Sequence, residues 1–204
     1  MQTSFVWCAA LAAMLLGTSI ARASDVPVPG AEALPKGPFE RPLAVSGYGA
    51  AWAGAYTAAG VGGRLRWEMV PGRFGVELLA EHLAVEGAGG FRHDHPIGFN
   101  LYVPFAASRS VRFRALAGAC TVFSFVEPEH AGAPRADDIL FGVHGGAGVE
   151  IAVHERVSWF LEAQMIGYLA HDRTGQGWTG SVGSSERPIA VFQPTTGLAI
   201  HLGR

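Results

Sequence analysis

Ile139 to Val153 reads ILFGVHGGAGVEIAV, and Val157 to Leu169 reads VSWFLEAQMIGYL. In the first stretch one parity collects Ile139, Phe141, Val143, Ala147, Val149 and Ile151. The other holds Leu140, Gly142, His144, Gly146, Gly148 and Glu150. In the second, Trp159, Leu161, Ala163 and Met165 alternate with Ser158, Phe160, Glu162 and Gln164. Successive side chains of a strand point to opposite faces, so each stretch is a strand with one apolar face and one polar or small face. His154 to Arg156, between them, has the length of a tight turn. Gly145-Gly146-Ala147-Gly148 lies inside the alternation, without the spacing or following helix of a nucleotide loop. It reads as close strand packing or a bend.

The same period recurs outward from this hairpin. Downstream, Phe192, Pro194, Thr196, Leu198, Ile200 and Leu202 oppose Gln193, Thr195, Gly197, Ala199 and His201. Upstream, Val61, Leu65, Trp67 and Met69 oppose Arg64, Arg66 and Glu68, and Phe74, Val76, Leu78 and Ala80 oppose Glu77 and Glu81. Ile97, Phe99, Leu101, Val103 and Phe105 oppose Asn100 and Tyr102. Val111, Phe113, Ala115 and Ala117 oppose Arg112, Arg114 and Leu116. Val45 to Tyr56 suits a first strand, but its Gly and Ala content leaves its faces unassigned. These segments make eight strands, most of them longer than the five or six residues usual in soluble sheets. A tilted strand needs about 9 to 11 residues to cross a bilayer.

Composition agrees with a chain that faces lipid. Of 204 residues, 49% are hydrophobic and only 16% charged, against roughly 25% charged in soluble domains. With a formal net charge of −2 there is no clustered basic surface for nucleic acid. Residues 1–23 read as a signal peptide: Phe5 to Ile20 is uncharged and apolar, and Ala21-Arg22-Ala23 offers a small-x-small cleavage site. Residues 24–43 hold five prolines and read as an extended, mobile leader before a barrel domain at 44–204. Cleavage would remove Cys8 and leave Cys120 alone, so no internal disulfide is expected.

Connection lengths separate a membrane barrel from a soluble one. Pro71-Gly72, Ala106 to Ser110 and His154 to Arg156 are tight, whereas Val85 to Pro96, Val126 to Asp138 and Ala170 to Pro188 are long. All three long connections then fall at one end, as in transmembrane barrels. The short connection near Tyr56 to Gly60 breaks the regularity. The polar faces carry Arg64, Arg66, Glu68, Glu77, Glu81, Arg112, Arg114, Glu150 and Glu162. Turned to lipid, an arginine near the midplane would cost about 2–4 kcal/mol. Turned inward, four arginines can pair with five glutamates and plug a lumen wide enough only for side chains. Trp67, Phe74, Phe105, Phe123, Phe125, Trp159 and Phe192 lie on the apolar faces near strand ends, where interface girdles sit.

These patterns predict an all-β fold: an eight-stranded antiparallel up-and-down transmembrane β-barrel. The segments Phe141 to Glu150, Val157 to Gln164, Arg114 to Ala119 and Thr196 to Gly203 resemble the eight-stranded outer-membrane barrel family, the group of the OmpA transmembrane domain and OmpX. Such barrels often end on an aromatic residue that assists insertion, whereas here the sequence closes Leu202-Gly203-Arg204. The resemblance implies a bacterial outer-membrane location, with short turns and both termini periplasmic. Outer-membrane lipid and the barrel-insertion machinery are the implied partners.

No catalytic constellation and no cofactor is expected. His93-Asp94-His95 reads as a solvated loop tip with too few ligands for a metal, even if His130, Asp137 and Asp138 of the next loop approach it. A lipid A-modifying hydrolase would need a His–Ser pair, for which His171 with Ser181, Ser184 or Ser185 is the weak candidate. Cys120 reads as a small residue packed inside the barrel. Three functions stay open: a structural or surface-interaction protein acting through loops 86–95, 127–137 and 171–187, a small pore, and a membrane-embedded lipid-modifying enzyme.

Overall fold

The computed structural model describes residues 37–54, 57–70, 72–87, 90–128, 136–169 and 190–203. Eight strands follow in order: β1 (Leu43–Gly54), β2 (Ala58–Val70), β3 (Phe74–Gly87), β4 (Gly90–Ala107), β5 (Val111–Pro128), β6 (Ala136–His154), β7 (Val157–Tyr168) and β8 (Ala190–Leu202). Each pairs antiparallel with its sequence neighbours, and β1 pairs with β8 to close the barrel. Closure removes the unpaired edges that an open sheet would present.

Three connections lie at one end of the barrel. Between β2 and β3, Arg73 N–H donates to Val70 C=O at 2.9 Å, and Gly72 takes a left-handed φ of 69°, which a residue with a Cβ rarely adopts. Between β4 and β5, the Ser108 hydroxyl accepts from Val111 N–H at 3.0 Å and holds the turn shut. Glu155 and Arg156 form the third turn, between β6 and β7.

The opposite end departs from expectation. The long loop expected at 86–95 is not there: β3 continues to Gly87, β4 begins at Gly90, and those two residues pair. Arg92, His93, Asp94 and His95 belong to β4. Their charges make the segment look like a loop, yet Arg92 and Asp94 are buried in the lumen. Pro96 has no N–H to give, and the β3–β4 ladder is interrupted between Ala80↔Ile97 and Leu83↔Asp94. Of the loop at 127–137, residues 127–128 and 136–137 are strand, and 129–135 lie outside the described residues, as does all of 171–187. Loop segregation therefore rests on two connections rather than three.

The leader also departs in part. Residues 1–36 lie outside the described residues, but Pro38–Glu40 form one 3-10 turn against the turn end of the barrel, and β1 begins at Leu43. Glu68 N–H donates to Pro42 C=O at 2.6 Å, which ties this segment to β2.

Alternation sorts the faces as expected and resolves β1, whose inward side is Ala44, Ser46, Tyr48, Ala50 and Trp52. Tyr48 has room because it lies opposite Gly62 on β2 and Gly197 on β8. A Cβ at either glycine would sit 2.5 Å from a Tyr48 carbon. Outward, Val61, Leu78, Ile97, Phe141, Met165 and Ile200 are each more than half exposed, and none of the charged residues assigned to the lumen joins them. Trp67 and Trp159 face outward toward the turn end, and Phe91, Phe125 and Phe192 toward the loop end.

Candidate functional site

All nine charged residues assigned to the lumen are buried there. The strands supply them in register: Arg66 pairs across the sheet with Glu77, and Arg112 with Glu150. Other contacts span the barrel and join strands that are not neighbours. Glu77 takes Arg66 Nε at 2.9 Å and Arg114 Nη1 at 2.6 Å on one oxygen, and Arg64 Nη1 at 3.3 Å with Asn100 Nδ2 at 3.1 Å on the other. Glu162 pairs with Arg64 and Arg114. Glu150 takes Arg66 Nη1 and Arg112 Nη2, each at 2.8 Å, and Glu68 meets Arg112 at 3.2 Å. Four arginines thus balance Glu68, Glu77, Glu150 and Glu162. Glu81 stands apart, accepting from Tyr48 Oη at 2.8 Å and Gln193 Nε2 at 2.7 Å instead of from an arginine.

Aromatic rings wall the cations. The Arg64 guanidinium lies 4.7 Å from the Tyr48 ring centroid, and Arg66 lies 5.5 Å from that of Tyr102. At the turn end Arg112 sits 4.6 Å from the ring of Phe39, which also meets His201 edge-on at 6.0 Å. The segment before β1 therefore packs over Arg112 and His201 at the turn end of the barrel, a contact that its proline-rich composition does not announce.

Following each strand toward the loop end, the charged stretch gives way to apolar side chains. Trp52, Leu83, Val122, Leu140, Ile166 and Val191 are buried there and belong to one cluster. Beyond it, on the taller strands β4 and β5, lies a second polar group: Arg92 Nε donates to both Asp94 oxygens at 2.9 and 3.0 Å, and Arg92 Nη2 reaches Ser124 Oγ at 3.0 Å. The lumen is thus charged, then apolar, then charged. Sequence reasoning misses the second group because charge assigns Arg92 and Asp94 to a loop; their parity with Asn100 and Tyr102 is the available signal.

One constellation has the residue types of a hydrolase. Ser158 Oγ lies 2.8 Å from His201 Nε2, and Glu150 Oε1 lies 3.1 Å from that same nitrogen. A triad needs the carboxylate on the other ring nitrogen, so that one side of the imidazole is free to take the serine proton. Here Ser158 also donates to Glu150 directly. The three form a buried hydrogen-bonded cluster, not a charge-relay arrangement. His130, His171, Ser181, Ser184 and Ser185 lie outside the described residues, as does the Asp137 side chain. Cys120 is a buried free thiol inside the barrel, as expected.

A closed eight-stranded barrel with charges inside and an apolar outer wall defines a class of membrane-type barrels. Comparison with known structures gives the same fold. Neisserial surface protein A is similar at 11% identity and a TM-score of 0.54, over 78% of this chain and 96% of that one. The outer membrane protein OprG from Pseudomonas aeruginosa is similar at 12% identity and a TM-score of 0.55, over 82% and 99%. A major outer membrane protein from Thermus thermophilus gives 12% and 0.55, over 78% and 99%. No protein-family model and no curated protein sequence matches the chain.

Proposed function

We propose that this chain is a bacterial outer-membrane barrel with a closed lumen, acting as a structural or surface-interaction protein rather than as a pore. The observation that carries the reading is the stacking of an apolar layer between two ion-paired groups inside the barrel. Water and ions would have to cross both a charged plug and a predominantly apolar layer, and hydrophobic constrictions exclude water. The outer wall supports the location: it is apolar where it would meet lipid, and aromatics flank it.

In this reading the tight turns and both termini are periplasmic, and insertion depends on the barrel-insertion machinery. The elongated strands β4, β5 and β6, of 18, 18 and 19 residues against 12 and 13 on β1 and β2, raise one side of the wall beyond the lipid. An external partner would meet that raised wall and the connections at 129–135 and 171–187. The test is membrane fractionation with heat-modifiable gel migration, followed by single-channel recording in planar bilayers. Membrane-bound, heat-modifiable protein without conductance steps is expected; regular conductance steps would overturn the closed lumen, and soluble, heat-indifferent protein the whole reading.

A further inference from the structure

The outer wall carries three imidazoles where its neighbours are apolar. His82 on β3 and His93 and His95 on β4 face outward, on the loop side of Leu78, Ile97 and Phe99. The register Leu83↔Asp94 places His82 opposite His95, and Ala84↔His93 fixes His93 diagonally above. His82 Nδ1 lies 3.5 Å from His95 Nδ1. That is long for a hydrogen bond, which centres on about 2.9–3.0 Å. It is close to the separation of roughly 3.3–3.4 Å between two nitrogens bound tetrahedrally to one ion at 2.0–2.1 Å. The His93 ring stacks on His82, 17° from parallel with centroids 5.5 Å apart, and its buried Nδ1 makes no hydrogen bond. His95 in turn packs edge-on against Phe125 at 5.7 Å.

We propose that His82 and His95 form the primary ligand pair of a site for a divalent first-row transition ion, with His93 as the third ligand. Among the described residues no three such side chains converge on one centre as they stand; the third ligand comes from turning His93 out of its stack with His82. Neutral imidazoles select Zn2+, Ni2+ or Cu2+ over the hard ions Mg2+ and Ca2+. The ladder is interrupted at His82 and His95 themselves but resumes beside them at Leu83↔Asp94 and Ala84↔His93, which keeps the two backbones in register, so one ring has to move. The remaining coordination positions face outward, open to water or to an anionic headgroup.

The probe is Cu2+ or Zn2+ alone, titrated calorimetrically into the full folded chain in detergent micelles, with Cu2+ spectra reporting nitrogen ligands. One ion per barrel with two or three nitrogen ligands is expected. His82→Ala or His95→Ala weakens it at least tenfold, His93→Ala weakens it less, and the turn variant His154→Ala leaves it unchanged. Heat-modifiable migration confirms that each variant is folded. Failure of the wild type to bind, or binding that survives His82→Ala combined with His95→Ala, overturns the site; the latter would place the ion on histidines elsewhere in the chain.

Discussion

Glu77 meets three arginines, more than any other lumen carboxylate among the described residues, with Asn100 beside them. Removing one partner of a buried ion pair leaves uncompensated charge and typically costs about 3–5 kcal/mol. Glu77→Gln therefore lowers stability by about that amount in denaturant unfolding from lipid vesicles. Glu81→Gln is the matched comparison, because the Tyr48 hydroxyl can still donate to the new amide oxygen. Its loss stays near the 0.5–1.5 kcal/mol of about one ordinary hydrogen bond. Equal losses for the two variants would show that ion pairing is not what distinguishes Glu77. Gly62 tests packing at the same scale. A valine there meets the Tyr48 ring, so Gly62→Val gives a smaller folded fraction by heat-modifiable migration, and Tyr48→Ala in the same chain restores part of it.

At the scale of single elements, each strand separates an outward, apolar row from a lumen-facing row. On β3, Leu78 is outward and 57% exposed, one position along from buried Glu77. Leu78→Arg puts a cation near mid-belt and costs about 2–4 kcal/mol, whereas Phe91→Arg, toward the loop end of β4, costs about 0–1 kcal/mol. Unfolding measurements on both variants in the same vesicles check the depth dependence; equal costs would misplace the belt. The 3-10 turn at Pro38–Glu40 acts as an element of its own, since Phe39 covers Arg112. A desolvated cation–ring contact is worth up to about 2 kcal/mol. Phe39→Ala destabilises the barrel by about 1–2 kcal/mol in the same assay, while Glu40→Ala, on an exposed side chain, changes it little.

Across the whole molecule, the local pattern and the long-range arrangement have different origins. Period-two alternation is a property of the chain alone, so the eight strands, the inward row Arg64, Arg66 and Glu68, and the outward row Leu65, Trp67 and Met69 are legible in the sequence. Alternation also holds in Phe91 to His95, but charge and histidine content disguise it as a loop, and only the pairing of β4 with β3 and β5 shows it to be wall. Partner identity is not legible. Arg64 and Glu162 meet across 98 residues, and Arg66 and Glu150 across 84. Those meetings depend on closure of β1 on β8 and on the stagger of the strands, which no local window encodes. The same holds for Glu81, which charge counting places among the ion pairs and the fold gives to Tyr48 and Gln193. By itself, then, the sequence determined which residues face in and which face out, because the pleat enforces it residue by residue. The tertiary structure decided which inward groups meet and that an apolar layer parts two charged ones, because these require strands distant in sequence to be brought into register; it also decided that His82 and His95 lie side by side, because that depends on β3 and β4 continuing as paired wall where their charge and histidine content suggest a loop.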